Sequence, residues 1–258
     1  MRMEDIDPPR EQAGAADAIL RTLEAHCLLW DADVLYQSTR SEAYLDTLSQ
    51  IETAGLSYRC NCSRKRLSGL NGKYDKHCLS HPPPANCPAA IRLNIEKCLE
   101  VSQANLSFND AIQGSQPDRL KNQGDFVIHR KDQLFAYQLA VVTDDIFQGI
   151  SHVVRGSDLL DTTQQQLLLF ATLKQPAPQY AHIPVMVDAN QHKLSKQNHA
   201  PAINDSTPQK NLLTAMHALN MEVPHNLHNE TIDSILGWAI QNWSIQNIPR
   251  RKTTMEAN

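Results

Sequence analysis

Cys60, Cys62 and Cys78 lie close together in a chain with only six cysteines. Clustered thiolates favour a tetrahedral zinc site, and three of them leave one place for a fourth ligand. By residue type alone, His77 or His81 would fill it. A second group lies in HKLSKQN (192–198), where Lys193 and Lys196 flank a leucine and a serine. Such runs are common on solvated surfaces. They can also stabilise the charge that builds on phosphoryl oxygens as pyrophosphate leaves a nucleotide. Arg155 closes the run ISHVVRG (150–156). A planar guanidinium at a strand end suits fork-like recognition of a carboxylate.

These residues need elements to hold them. Pro8 and Pro9 precede Ala16, Ile19, Leu20, Leu23 and Cys27, one helical face, so the spacing predicts a helix over 11–27. A second helix is expected after Ser41, carried by Tyr44, Leu45, Leu48 and Ile51. The Cys60–Cys87 stretch has no clear period and reads as a loop-dominated insertion. FVIHR (126–130) alternates as a strand, LFAYQLAVVTDD reads as helix, and ISHVVRG reads as a short buried strand. Asp158 is expected to cap a helix with Leu159, Thr163, Leu167, Phe170 and Leu173 on its apolar face, before a strand over 180–188. Strand, helix, strand is the pattern of a parallel α/β sheet. Two helices follow, around Leu212, Leu213, Met216 and Leu219 and around Ile232, Ile235, Leu236, Ala239 and Ile240, as a small C-terminal appendage.

With 258 residues and 41% hydrophobic content, the chain can bury a real core. It has no apolar run long enough for a membrane helix, and its acidic, proline-bearing start is unlike a signal peptide, so a cytoplasmic location without membrane contact is expected. The net charge of −4 gives no global basic field, and no DNA partner is expected. RNA contact would fall to local patches: Arg64, Lys65 and Arg66, then Lys73 and Lys76, then Arg250, Arg251 and Lys252. The isolated Cys27, Cys87 and Cys98 read as buried small hydrophobes.

Longer segments add a resemblance. RMEDIDPPR (2–10) resembles the R-I-E-D-T/I-D-x-x-R signature of glutamyl and glutaminyl synthetases, and LFAYQLAVVTDDIFQGISHVVRGSDLLDTT (134–163) resembles their A-Y-x-L-A-V-V-x-D-D…G-I-T-H-V-I-R-G-x-D block. The run from Lys193 to Gln197 is similar to the KMSKS loop of class I aminoacyl-tRNA synthetases. YRCNCSRKRLSGLNGKYDKHC (58–78) resembles the C-x-C…Y-x-x-x-C zinc site of the glutamyl-Q tRNA(Asp) synthetase family, the short paralogues of glutamyl-tRNA synthetase.

The resemblance implies a class I Rossmann-type α/β fold with a parallel sheet, a zinc-bearing insertion and a small helical appendage. Catalytic-domain halves would span 1–56 and 111–190, the zinc insertion 57–110, and the KLSKQ loop with the appendage 191–258. It implies an enzyme that activates glutamate with ATP, accompanied by magnesium, without tRNA, and transfers glutamate to the queuosine base in the anticodon stem-loop of tRNA(Asp). Glu4 would hold the α-amino group, Tyr137 and Arg155 would close the glutamate pocket, and Lys193 and Lys196 would be catalytic, with Lys196 also binding ATP. Cys60, Cys62, Tyr74 and Cys78 would hold one structural zinc. Asp144 and Asp145 need no catalytic role, because the nucleophile is already a carboxylate, and they are expected to orient loops or substrate hydroxyls.

Nothing in the sequence matches the family's R-F-A-P-S-P-[ST]-G-x-L-H-x-G segment, which precedes the R-M-E-D-I-D run. The reading is therefore of an N-terminally truncated sheet lacking its first central strand, whose coding sequence is expected upstream of Met1. Two alternatives stay open. One is a fragment of an ordinary glutamyl-tRNA synthetase charging the 3′ end; the other is a non-catalytic, zinc-containing RNA-binding protein.

Overall fold

The computed structural model describes the whole chain except residues 71–72, 189, 195–199 and 256–258. The chain opens with β1 (Arg2–Met3), α1 (Ala15–Ala25), β2 (Leu35–Tyr36) and α2 (Ser41–Thr53). Next come β3 (Ser57–Cys60), the short helices α3 (Arg64–Ser68) and α4 (His77–Ser80), β4 (Ala90–Leu93) and α5 (Ile95–Ser102). The hairpin β5 (Phe108–Asp110) and β6 (Gly114–Gln116) leads to β7 (Val127–His129), α6 (Tyr137–Gln148), β8 (His152–Gly156) and α7 (Thr163–Thr172). The chain then runs through β9 (Gln179–Ile183), β10 (Val185–Val187), α8 (Pro208–Ala218), α9 (Ile232–Asn242) and β11 (Thr253–Met255).

Among the described residues the strands do not form one parallel sheet. β1 pairs with β2, β8 with β9 and β10 with β11 in parallel, as separate two-stranded sheets. β3, β4 and β7 form an antiparallel three-stranded sheet with an irregularity between Ile91 and Arg92. This corrects the expectation of a single parallel sheet.

The main core gathers Leu48 and Ile51 of α2, Leu93 of β4, Ile128 of β7, Leu139 of α6 and Leu168 to Phe170 of α7. Within α6, Leu139 to Asp145 are buried without a break, because the helix packs between α2 and α7. A second cluster joins Leu212, Leu213 and Met216 of α8 to Ile235 of α9, which Thr231 caps by accepting from Ser234 N–H.

Several local expectations are corrected. The first helix is shorter than 11–27 and buries none of its residues. Leu45 lies on the outer side of α2, 52% exposed. β8 is a strand but not a buried one, with Val154 63% exposed. Asp158 caps no helix among the described residues: it sits inside the 3-10 segment Ser157–Thr162 that precedes α7 and pairs with Lys193 instead. The predicted strand over 180–188 divides in two around Pro184. Of the isolated cysteines Cys98 is fully buried, whereas Cys27 is exposed and Cys87 only half-buried.

Asp144 is fully buried and accepts hydrogen bonds from Gln37 Nε2 (2.7 Å), Arg40 Nε (2.6 Å) and Tyr44 Oη (2.7 Å). It thereby ties α2 and the segment before it to α6. Deleting such an acceptor strands three donors, one of them charged. Asp144→Ala is expected to cost ~3–5 kcal/mol in urea unfolding. A loss under ~1 kcal/mol would show that the donors find water instead.

Candidate functional site

A cavity of about 390 Å³ lies between β1, α6 and β8. Met1, Arg2, Tyr137, Asp145 and Arg155 are among its lining residues. Tyr137 is the first residue of α6, and Arg155 stands near the C-terminal end of β8. Open α/β sheets bind ligands at the carboxyl ends of their strands.

Arg155 is held from one edge. Its Nε donates to His182 Nε2 (3.0 Å) and its Nη2 to Thr163 Oγ1 (2.9 Å), while the guanidinium lies 5.2 Å from the Tyr180 ring centroid. Nη1 has no hydrogen-bond partner among the described residues, so the fork keeps donors for an arriving carboxylate.

Glu4 does not line the cavity. Its Oε1 accepts from Arg2 Nη2 (3.1 Å), and Arg2 Nη1 in turn donates to Asp145 Oδ1 (2.7 Å) and Gln148 Oε1 (3.0 Å). Burial works against charge on Arg2, but the two carboxylates outweigh it and raise its pKa. The Tyr137 pKa is also raised, by burial first and then by the negative charge of Glu4, so the phenol stays a neutral donor. The sequence offered Arg2 and Asp145 separately but gave no sign that they pair, because the contact spans 143 positions.

Lys193 Nζ lies 2.6 Å from Oδ2 of Asp158, the residue before Leu159 of the cavity lining. Gly156 makes this approach possible, since a Cβ there would lie 2.5 Å from Asp158 Oδ1 and 2.9 Å from Val185 Cγ1. Lys196, with Ser195 and Gln197, lies outside the described residues.

The second site is the thiol cluster. The sulfurs of Cys60, Cys62 and Cys78 lie within 4.8 Å of one another, and no histidine joins this group among the described residues. His77 and His81 stack on each other instead, ring centroids 4.8 Å apart. The Tyr74 hydroxyl lies 3.3 Å from Cys60 Sγ and 3.5 Å from Cys62 Sγ, and it accepts from Cys78 N–H at 2.9 Å.

Two neighbours fix Tyr74. Arg92 stacks on its ring at 4.0 Å, and Gly124 (φ 78°) packs so closely that a Cβ would lie 2.7 Å from Tyr74 N. Burial opposes ionisation of Cys60, but the Tyr74 hydroxyl and the neighbouring Arg92 guanidinium outweigh it and draw the thiol down to about 7. Arg92 Nε is buried without a hydrogen-bond partner among the described residues. Three gathered thiols, one inclined to ionise, and an adjacent buried cation fit a thiolate metal site.

Residues 1–221 match the family model of class I tRNA synthetases (E and Q), catalytic domain. A glutamyl-Q tRNA(Asp) synthetase from Serratia proteamaculans is 46% identical over 253 residues, covering 98% of this chain and 81% of that protein. The protein of the same name from Vibrio cholerae is 43% identical over 251 residues, covering 96% of this chain and 80% of its own. Among solved structures, a glutamate-tRNA synthetase from Elizabethkingia anophelis aligns at a TM-score of 0.75 with 19% identity. A glutamate tRNA ligase from Elizabethkingia meningosepticum, solved in complex with its amino acid, aligns at 0.74, also with 19% identity. Both alignments cover 99% of this chain, which spans about 60% of each of those chains, and they show the class I synthetase-type α/β fold. No helix among the described residues is long and apolar enough to cross a membrane.

Proposed function

The chain belongs to the glutamyl-Q tRNA(Asp) synthetase family of aminoacyl-tRNA synthetase-like ligases, and from that premise we propose that it activates glutamate with ATP, without tRNA, and transfers it to the queuosine base in the anticodon loop of tRNA(Asp). The observation that carries this reading is Arg155, held by His182 and Thr163 on one edge and facing a cavity shared with Tyr137.

A carboxylate of glutamate pairs with the Arg155 fork, beside the neutral Tyr137 hydroxyl. Glu4 keeps Oε2 without a hydrogen bond among the described residues and takes the substrate ammonium there, while Arg2 holds the carboxylate from its other oxygen. The α-carboxylate of glutamate then attacks the α-phosphorus of ATP, the bond to pyrophosphate breaks, and glutamyl-adenylate forms. ATP arrives with magnesium on its phosphates. Lys193 and Lys196 stabilise the charge that grows on the phosphoryl and pyrophosphate oxygens.

Cys60, Cys62, Cys78 and Tyr74 hold one zinc, and four protein ligands make such a site structural. The exposed Arg64 and Lys65 start the helix that follows Cys62, where the metal would fix them for contact with tRNA phosphates. Arg66 is already engaged with Asp75 at 2.6 Å. Cys78→Ser is expected to lower zinc from about one ion per chain to a small fraction and to unprotect residues 58–90 in hydrogen exchange. Full zinc retention in the purified variant would remove Cys78 from the ligand set.

Adenylate chemistry is tested by glutamate-dependent ATP–pyrophosphate exchange in the absence of RNA. Exchange with glutamate alone supports the proposal. Exchange that requires tRNA contradicts it.

A further inference from the structure

We infer that Asp110 and His182 form a buried positioning relay that aims Arg155 at the substrate carboxylate. The inference rests on the proposed role of Arg155 in binding glutamate. Its basis is the geometry around His182, which makes no contact with the cavity.

β8 and β9 run in parallel with Arg155 opposite His182, so strand register brings the two side chains together. His182 and Asp110 are essentially inaccessible to solvent. An arginine has no acceptor, so the 3.0 Å contact from Arg155 Nε requires a lone pair on His182 Nε2. The imidazole proton then sits on Nδ1, which donates to Asp110 Oδ2 at 2.6 Å. One tautomer satisfies both contacts. A second ring proton would turn Nε2 into a donor facing the Nε–H of Arg155.

Asp110 is the anchor of this relay. Its Oδ1 accepts from the backbone N–H groups of Ile112 (3.1 Å), Gln113 (2.8 Å) and His182 (3.1 Å). Burial works against its ionisation, but the hydrogen bond from His182 and those from the backbone outweigh it, holding Asp110 below the usual carboxylate range. Thr163 completes the cradle: its hydroxyl accepts from Arg155 Nη2 and lies 3.2 Å from His182 Nε2. A fork held along one edge loses less freedom when a carboxylate docks on the other.

The test exploits the two ends of the imidazole. His182→Gln can place an amide oxygen near the position of Nε2, keeping an acceptor for Arg155. His182→Asn can place an amide N–H near Nδ1, keeping the donor for Asp110 but leaving Arg155 without its acceptor. In pyrophosphate exchange by the complete protein, His182→Asn is expected to raise the glutamate KM about tenfold, the scale of one hydrogen bond to a charged group, with the ATP KM unchanged. His182→Gln should stay within about threefold of the parent.

Arg155→Ala is the control for the underlying reading. If it leaves the glutamate KM unchanged, the assigned role of Arg155 fails and the relay with it. If it raises that KM while His182→Asn and His182→Gln behave alike, or while ATP and glutamate KM rise together, the relay alone is overturned. Because a buried histidine variant can fail to fold, nitrogen NMR of the unsubstituted protein with labelled histidine gives a second reading. A bare Nε2 and a protonated Nδ1 on His182 are expected, and a proton on Nε2 would overturn the inference.

Discussion

Arg155→Ala is expected to lower kcat/KM for glutamate by at least about a hundredfold, chiefly through KM, while the protein stays folded. Truncating one partner of a partly buried, hydrogen-bonded charge pair typically costs ~2–5 kcal/mol, or roughly thirtyfold to several thousandfold. Here the upper part of that range applies, because the guanidinium is already oriented by His182 and Thr163 before substrate arrives. Stability should change little, since both partners keep other hydrogen bonds: His182 to Asp110 and Thr163 to the Leu159 carbonyl. Arg155→Lys should recover only a small part of the loss, because an ammonium lacks the fork. Steady-state exchange kinetics at varied glutamate, with thermal melting as the control, checks this. An unchanged glutamate KM would remove Arg155 from the pocket.

Lys196→Ala is expected to slow adenylate formation by at least about tenfold, and by ~10²–10³ if the ammonium meets the transition-state oxygens as closely as an oxyanion-hole donor does. The loss should fall on kcat and kcat/KM together, with glutamate KM little changed, because the contact forms as charge develops. Lys193→Ala should have a smaller effect on the chemical step, since its Nζ already pairs with Asp158 at 2.6 Å. Single-turnover formation of labelled adenylate separates this step from product release. A rate equal to that of the parent protein would refute the assigned role of Lys196.

The metal cluster shows how far residue types reach. The three cysteines stood out by composition and spacing, and the structure gathers their sulfurs. Tyr74 carries no such signal, and residue chemistry alone favoured His77 or His81, which stack away from the thiols. What places the phenol is Gly124 beneath its backbone and Arg92 across its ring, both distant in sequence. The pocket follows the same rule. Tyr137 and Arg155 lie in a recognisable block, whereas Arg2 with Asp145, and Asp110 with His182, meet only through tertiary pairing across 143 and 72 positions.

Element positions were legible where period was strong, as in α2, α6, α8 and α9. Burial was not. Periodicity sees one apolar face, so it cannot foresee that α6 is covered on both sides or that the apolar face of α1 is only half-buried. Strand direction was equally hidden, because the alternation of FVIHR marks a strand without its partners, and only the pairing of β3, β4 and β7 makes that sheet antiparallel.

The most direct measurement of the central claim is transfer of labelled glutamate by the complete protein, with ATP, to queuosine-bearing tRNA(Asp), queuosine-free tRNA(Asp) and tRNA(Glu) in parallel. Label on the queuosine-bearing tRNA alone, surviving removal of the 3′ end, is the expected result. Label on tRNA(Glu), or on no RNA at all, would contradict it.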